Sequence, residues 1–288
     1  MTVKAWYVLT LPGDDERLAG FMAQPGAEKF VPVNGVDART RPIEDFADEF
    51  DVHRFTDRLG RQPAPGEVGC MLGHRSIWQK IANNPELGDG DYAVVVEDDA
   101  ELLDGFHEVS RAADRHDVTV LAFGSRLADD YSGTQLRQSE LVDQLIPLDP
   151  AAEPGPSGHR IGLVWPNASM GMVAYVVSRS AARELLRINR PAYSVADDYI
   201  EWRAQGLTVA NVRPSVARER QNVSSTIDGR GDPDEADEAV WNPAVGSFFV
   251  FERLRARLPL AVRRVLRPDI RLALRRLARA ALERAQGR

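Results

Sequence analysis

Apolar residues in this chain fall into short uninterrupted runs that alternate with amphipathic stretches. Runs of about four to eight apolar residues predict buried strands, whereas apolar positions three and four apart predict helices. The runs predict strands at residues 4–11, 29–33, 92–96, 118–123, 161–165, 172–177 and 207–212. The spacing predicts helices at residues 14–23, 43–49, 66–84, 178–189 and 195–205. A strand–helix–strand opening of this kind is typical of an α/β fold with a doubly wound, Rossmann-type sheet.

The helix predicted at residues 66–84 has a broad apolar face, and Pro85 follows soon after its end. Its apolar positions are Val68, Met71, Leu72, Ile77, Trp78 and Ile81. By contrast, residues 38–65 form a polar insertion with three prolines, which predicts a loop-rich segment around the short helix at 43–49. Residues 126–160 predict a long irregular loop, and such loops in compact domains are often functional.

Three carboxylates, Glu97, Asp98 and Asp99, follow the apolar run at 92–96 without a spacer. A strand that ends in acids places them where open α/β sheets bind ligands. Because residues two apart on a strand share a face, we expect Glu97 and Asp99 to face one site while Asp98 points away. A hard divalent cation would offset their repulsion and could hold the phosphates of a nucleotide. The alternative is a solvated acidic turn.

The composition is that of an ordinary soluble globular protein, with 288 residues, 43% hydrophobic and 27% charged. The single cysteine, Cys70, excludes an intrachain disulfide and fits a reducing compartment. The apolar run near the N-terminus ends at Pro12 and is too short for a signal segment. No run approaches the roughly 20 apolar residues of a membrane-spanning helix.

Charge is distributed unevenly along the chain, whose net charge is −7. Residues 251–288 carry twelve arginines against three acids, and apolar residues alternate with those arginines. A basic amphipathic tail of this kind predicts binding to an anionic membrane surface. No aromatic residues or base-reading module accompany the arginines, which argues against nucleic acid. The remaining alternative is that the tail packs on the acidic body of the protein.

Three segments, in order, resemble those of glycosyltransferase family 25. Residues 66–78 read GEVGCMLGHRSIW and are similar to the family's Gly-Glu-Ile-Gly-Cys helix with its later His and Trp. Residues 94–99 read VVVEDD and resemble the strand and acids that follow that helix. Residues 174–182 read AYVVSRSAA and resemble the family's Tyr-(Leu/Ile)-Ile-Ser-Arg segment. The family comprises lipopolysaccharide and lipooligosaccharide sugar transferases and the related collagen galactosyltransferases.

The resemblance implies a GT-A-like glycosyltransferase domain at residues 1–228, with a mixed sheet flanked by helices. An acidic linker at 229–249 and the basic helical tail at 250–288 would follow. The implied reaction is transfer of a hexose with inversion, galactose from UDP-galactose, onto a cell-surface glycan or a lipid-linked acceptor. Such an acceptor, together with the basic tail, predicts a cytoplasmic location on the inner face of the cell membrane.

The resemblance also implies a set of site residues. Asp99 is the expected ligand of Mn²⁺ or Mg²⁺, and Glu97 would reach the ion through water or contact the donor ribose. The residues expected to bind the donor are Thr10, Leu11, Arg17, Asp37, Glu67, His74, Glu97 and Asp98. The alternatives from the residues alone are a packed role for His74 and a favourable helix-start charge for Glu67. Cys70 and Trp78 are expected in the core.

Asp197 and Asp198 form a second acidic pair and are the candidates for the general base that deprotonates the acceptor hydroxyl. We prefer Asp197; the alternative for either residue is a charge at a helix N-terminus. The chain departs from the family pattern at Thr10, where Asn is usual, and at Gly73, where Ser is usual. The family's arginine-rich stretch after the first strand is here reduced to Arg17.

Two other functions remain open. A nucleotidyltransferase on a related sheet would need a glycine-rich basic loop after the first strand, whereas residues 12–16 are acidic. An inactive family member that acts as a scaffold would not need Glu97, Asp99 and Asp197, which this chain has.

Overall fold

The computed structural model describes residues 2–122, 148, 152–164 and 171–220. The strands in this part of the chain are β1 (Val3–Thr10), β2 (Val31–Asn34), β3 (Tyr92–Glu97), β4 (Ala100–Leu102), β5 (Val118–Val120), β6 (Glu153–Pro154), β7 (Arg160–Leu163), β8 (Ala174–Ser178), β9 (Val209–Arg213) and β10 (Ala217–Glu219). The α-helices are α1 (Asp15–Met22), α2 (Val52–Leu59), α3 (Pro65–Asn83), α4 (Phe106–Ala112), α5 (Arg179–Ile188) and α6 (Tyr199–Ala204). Short 3₁₀ helices form at Ala27–Lys29, Ala38–Thr40, Ile43–Phe46 and Pro156–Gly158.

Eight strands form one mixed sheet in the order β2-β1-β3-β8-β5-β9-β7-β6. Strand β1 pairs in parallel with both β2 and β3, whereas β8 runs antiparallel between β3 and β5. Strands β4 and β10 form a separate antiparallel pair. The predicted α/β class with a mixed Rossmann-type sheet and flanking helices is therefore confirmed.

Strand β3 lies near the middle of the sheet and is buried on both faces. Val94 and Val96 pack into the core on one face, together with aromatic residues such as Phe21 and Phe106. Val95 packs on the opposite face, into the core that contains α3. A strand covered on both sides is expected to be a continuous apolar run, which is why its sequence is so easily recognised.

Helix α3 lies against the sheet with the apolar face that the sequence predicts. All six of its predicted apolar positions belong to one core cluster and are nearly or fully buried. Two glycines allow a close approach: a Cβ at Gly69 would lie 2.5 Å from the backbone oxygen of Val36, and one at Gly73 would contact Leu9 at 3.3 Å. Glycine at these positions lets α3 pack tightly against the loop after β2 and against β1.

The N-terminus of α5 is capped as predicted: Ser178 Oγ accepts a hydrogen bond from Ala181 N at 3.0 Å. The helix predicted at 195–205 instead begins at Tyr199, because Asp198 is its N-cap and accepts from Glu201 N at 3.0 Å. Strand β5 is shorter than the predicted 118–123 within the described residues.

The insertion at 38–65 contains more helix than the sequence predicts. Helix α2 forms there, with Asp51 as its N-cap and Gly60 ending it in the left-handed conformation at φ 73°. Phe55 is its one buried residue. Val52, Phe55 and Leu59 repeat with the helical period and pack on one core, but the prolines and polar residues around them favour a loop, so the sequence prediction misses this helix.

None of the helices in the described residues is long and apolar enough to cross a membrane. The predicted linker at 229–249 and basic tail at 250–288 lie outside the described residues, as does most of the loop predicted at 126–160.

Candidate active site

The parallel strands β1, β2 and β3 all end on the same side of the sheet, at Thr10, Asn34 and Glu97. Strand β8, which is antiparallel to β3, begins there, with Ala174 opposite Val96. We call this region the carboxyl end of the sheet. It brings together residues at the ends of four strands and in the loops next to them, which is where α/β sheets bind ligands.

Asp98 is held at this end by two donors from the N-terminal part of the chain. Thr10 Oγ1 donates to its Oδ2 at 2.7 Å, and Arg17 Nε donates to its Oδ1 at 3.0 Å. Burial raises the pKa of the Asp98 carboxyl, although the hydrogen bond from Thr10 and the charge of Arg17 oppose that shift. Thr10, where the family usually has Asn, thus makes a polar contact within the acidic cluster.

Asp99 shares the same arginine. Arg17 Nη2 donates to Asp99 Oδ2 at 2.9 Å, while Asp99 Oδ1 is buried without a hydrogen-bond partner in the described part of the protein. Burial, followed by the negative charge of Glu97, raises the pKa of Asp99 to about 8. A buried carboxylate oxygen without a donor can accept a cation or a proton.

The expectation that Asp98 points away from the other two acids is corrected by these contacts. Strand β3 ends at Glu97, so the alternation of side chains does not extend to the next two residues. Asp98 and Asp99 are bridged by Arg17 instead, whereas Glu97 turns to a different partner.

Glu97 Oε1 lies 2.9 Å from His74 Nε2, and His74 Nδ1 lies 3.1 Å from the hydroxyl of Tyr175. Trp78 Nε1 donates to the same hydroxyl at 3.0 Å. His74 is fully buried, and burial raises the pKa of Tyr175 well above its usual value, so its hydroxyl keeps its proton.

These contacts define the direction of each hydrogen bond when His74 is neutral. A carboxylate only accepts, so His74 Nε2 carries the proton and donates to Glu97. Nδ1 then accepts from the Tyr175 hydroxyl, which itself accepts from Trp78. The chain of hydrogen bonds fixes the ring of His74 and one oxygen of Glu97. Trp78 lies in the core, as predicted, and makes this polar contact as well.

The two candidate bases have different surroundings. Asp198 is buried, caps α6 and forms an ion pair with Arg58. Asp197 is half-buried, and its Oδ2 accepts from Gly171 N at 2.7 Å. The segment that starts at Gly171 leads to Val173, whose oxygen accepts from Glu97 N at 2.9 Å. Asp197 therefore contacts the segment that borders the carboxyl end of the sheet.

Three other predicted donor-binding residues make local contacts. Both carboxylate oxygens of Glu67 are bonded, to Arg61 at 2.6 and 2.7 Å, and one also to Ala64 N at 3.0 Å. Asp37 caps the 3₁₀ helix Ala38–Thr40 and pairs with Arg39, whose hydrogen bond lowers its pKa. Leu11 lies directly after β1 and its oxygen accepts from Asp14 N. Donor contacts for these residues stay predictions.

Sequence reasoning missed two residues at this site. Arg220 donates from Nη2 to the backbone oxygens of Asp98 and Arg17, at 2.6 and 3.0 Å, and from its backbone N to Asp99 O at 2.7 Å. It lies beyond every recognised motif, so no local signal marks it. Tyr175 lies within the AYVVSRSAA segment, but an apolar run suggests packing rather than a polar role.

The structure is an α/β fold with a cluster of polar and acidic side chains at the carboxyl end of a mixed sheet. The model of "Glycosyltransferase family 25 (LPS biosynthesis protein)" matches residues 4–200. The chain therefore belongs to glycosyltransferase family 25, as the three sequence segments suggest.

The chain is also similar in part to two known proteins. The "Procollagen lysyl hydroxylase and glycosyltransferase" of Acanthamoeba polyphaga mimivirus is 30% identical over 144 residues, which are 49% of this chain. The match spans only 14% of the length of that viral protein. The crystal structure of GalNAc-T7 with UDP, GalNAc and Mn²⁺ aligns with 86% of this chain and 48% of its own, at 9% identity and a TM-score of 0.39.

Proposed function

We propose that the protein is a nucleotide-sugar-dependent glycosyltransferase. It transfers a hexose, galactose from UDP-galactose, with inversion onto a cell-surface glycan or a lipid-linked acceptor. Membership of family 25 supports the reaction class. The observation that carries the proposal is the buried oxygen Asp99 Oδ1, which has no partner among the described residues and lies next to Arg17 at the carboxyl end of the sheet.

The acidic cluster fits a hard divalent cation. Mn²⁺ and Mg²⁺ prefer carboxylate oxygens, and Asp99 offers an unpaired one, with Glu97 close enough for its charge to raise the pKa of Asp99. We therefore propose that Asp99 holds the ion and that Glu97 supports it. When bound, the ion would offset the charge of the leaving diphosphate.

Arg17 is suited to the diphosphate itself. Its planar guanidinium already spans two carboxylates, and the same fork geometry matches phosphate oxygens. Thr10 holds Asp98 in place from β1, which keeps that acid aligned with the arginine. Glu97 is held in place by its hydrogen bond with His74. The ring of His74 is in turn held by the hydroxyl of Tyr175.

Inverting transfer needs a general base for the acceptor hydroxyl. We propose Asp197 for this role, because Asp198 is already engaged by Arg58 and by the N-terminus of α6. Through its hydrogen bond with Gly171 N, Asp197 would also hold the segment that leads to Val173, whose backbone oxygen accepts from Glu97 N. The acceptor would then lie between Asp197 and the donor held by the acidic cluster.

We further propose that the protein works at the cytoplasmic face of the cell membrane, where the tail at 250–288 binds anionic lipid. The twelve arginines of residues 251–288 support this. Flotation with anionic vesicles, with and without residues 251–288, tests it: we expect the full chain to float and the shortened chain to stay behind. Equal flotation would exclude the tail as the anchor.

A panel of UDP- and GDP-sugars tests the reaction. Each would be scored for donor hydrolysis and for a shift in melting temperature, with Mn²⁺, with Mg²⁺ and with a chelator. We expect UDP-galactose with Mn²⁺ to give the largest response and the chelator to remove it. No response to any UDP-sugar in the presence of Mn²⁺ would contradict the proposal.

A further inference from the structure

Three side chains of different metal-binding chemistry meet where α3 crosses the end of β3. The sulfur of Cys70, a ring nitrogen of His74 and a carboxylate oxygen of Glu97 all lie within 4.8 Å of one another. Cys70 and His74 are one helical turn apart on α3, so they share a face of that helix. Glu97 is the last residue of β3 and already contacts His74 at 2.9 Å.

This set of donors differs from the acidic cluster in kind. Thiolate and imidazole are the ligands that Zn²⁺ and related transition ions prefer, whereas Mg²⁺ and Ca²⁺ select oxygens. In a tetrahedral zinc site with bonds of about 2.0–2.3 Å, ligand atoms lie about 3.3–3.7 Å apart. Binding an ion needs only small side-chain shifts: the His74–Glu97 separation of 2.9 Å would lengthen, and the widest separation, which is at most 4.8 Å, would shorten.

We propose that Cys70, His74 and Glu97 bind one Zn²⁺-type ion and leave a fourth position open. Access is available because Cys70 is half-buried and the side chain of Glu97 is 23% exposed. Three protein ligands with an open position are typical of zinc sites that exchange or react, rather than of closed structural sites.

The buried hydrogen bonds around His74 provide the support that a zinc-bound imidazole needs. When Nε2 binds the ion, its proton is replaced and the ring carries a proton on Nδ1 instead. That Nδ1–H then donates to the Tyr175 oxygen, 3.1 Å away. The thiol proton of Cys70 is released to solvent on binding, so affinity rises with pH.

Binding at this site does not depend on the proposed transfer reaction. One consequence does depend on that reaction. Because Glu97 is shared by the two sites, an ion held by Cys70 and His74 draws Glu97 away from Asp99. Zinc should therefore inhibit the proposed transferase, and an excess of Mg²⁺ should not displace zinc from the thiolate.

Titration of the intact protein with Co²⁺ tests the site, since a Co²⁺–thiolate bond gives a near-ultraviolet charge-transfer band. Cys70 is the single cysteine of the chain, so any such band reports this residue. We expect the band to saturate at one ion per chain and to vanish when Zn²⁺ is added. Absence of a band in the folded wild-type protein would overturn the proposal.

Variants define the other ligands. We expect Glu97→Gln and Tyr175→Phe to keep the band but weaken Co²⁺ binding roughly 10–100-fold. His53→Ala is the matched control, because that histidine is 86% exposed on α2 and should leave the affinity unchanged. If Asp99→Asn weakens Co²⁺ binding as much as Glu97→Gln does, the ion is not at this site.

A second measurement needs no substitution. Zn²⁺ should slow alkylation of the Cys70 thiol in the folded protein at least about tenfold, since a coordinated sulfur is shielded, whereas Mg²⁺ should have no effect. Equal alkylation rates with and without Zn²⁺ would contradict the proposed thiolate ligand.

Discussion

His74 Nε2 lies 2.9 Å from Glu97 Oε1, and this contact joins the longest helix of the described fold to the end of strand β3. Neither residue is positioned by its own segment alone. His74 is fixed by the Tyr175 hydroxyl on β8, and Glu97 by the backbone of Val173. The site thus depends on the register between β3 and β8, which places Tyr175 opposite Val95.

Replacement of Tyr175 by Phe should destabilise the protein and disturb the site together. The change removes the hydroxyl that serves His74 Nδ1 and leaves Trp78 Nε1 buried without an acceptor. We expect a loss of about 1–3 kcal/mol in the free energy of unfolding, measured by urea denaturation. Tyr193→Phe is the control, since that hydroxyl donates to the less buried Glu201. An equal loss in both variants would argue against the buried relay.

Arg17→Lys should weaken binding of the nucleotide while the charge is kept. A lysine has one ammonium group and cannot span Asp98 and Asp99 as the guanidinium does. The lost charge-assisted hydrogen bond is worth about 1.5–3 kcal/mol, so the dissociation constant for UDP with Mn²⁺ should rise roughly 10–150-fold by calorimetry. Arg41 forms an exposed ion pair with Asp45, so Arg41→Lys should leave the dissociation constant for UDP nearly unchanged. Comparable effects of the two changes would exclude a specific role for Arg17.

Asp197→Asn and Asp198→Asn should separate catalysis from stability. Asn at 197 can still accept from Gly171 N but cannot take a proton, so kcat should fall about 10²–10⁴-fold with stability preserved. Asn at 198 breaks the buried pair with Arg58 and should cost roughly 3–5 kcal/mol in unfolding free energy. If Asp197→Asn keeps full kcat while Asp198→Asn loses it, the assignment of the base is reversed.

The pKa of Asp99 predicts how stability depends on pH. Its folded value of about 8 exceeds the ordinary value of 3.8, so the folded state holds the proton more tightly. The contribution of Asp99 to stability is therefore fully present below about pH 4 and is lost as pH rises towards 8. Across this window, the free energy of unfolding of Asp99→Asn should rise relative to that of the wild type, by at most about 1.4 kcal/mol per pH unit.

Melting curves of wild type and Asp99→Asn at several pH values measure this difference. Mn²⁺ should raise the melting temperature of the wild type at pH 8 and leave the variant unchanged, because the ion offsets the charge that burial disfavours. Parallel pH profiles for the two proteins would contradict the raised pKa of Asp99.

Gly69→Ala should destabilise the protein although alanine favours helices. The added methyl would lie 2.5 Å from the backbone oxygen of Val36, which cannot move as a side chain can. We expect a cost of about 1–3 kcal/mol by thermal unfolding. Gly73→Ala provides the comparison, since its methyl would meet the flexible Leu9 side chain at 3.3 Å and the nearest backbone atom, Gly35 Cα, only at an ordinary contact distance of 3.6 Å. The close approach of α3 to the loop after β2 would be disproved if Gly69→Ala proved the more stable variant.

The sequence by itself determined the elements with strong local patterns. Strand β3 is recognisable because burial on both faces demands a continuous apolar run, and α3 because six buried positions repeat with the helical period. Ser178 capped α5 as expected because a cap depends only on the next three residues. Helix α2 does have such a pattern, at Val52, Phe55 and Leu59, but it is only two turns long and lies within a polar, proline-containing insertion, so the sequence prediction misses it.

Only the tertiary structure decided which charged groups meet. Arg17 reaches Asp98 and Asp99 from more than 80 positions away, and Arg58 engages Asp198 from 140 positions away. Such pairs depend on which strands become neighbours in the sheet, which no local period encodes. For that reason the sequence predicts that Glu97, Asp98 and Asp99 lie together at one strand end. It does not predict that Asp98 and Asp99 pair with Arg17 while Glu97 pairs with His74.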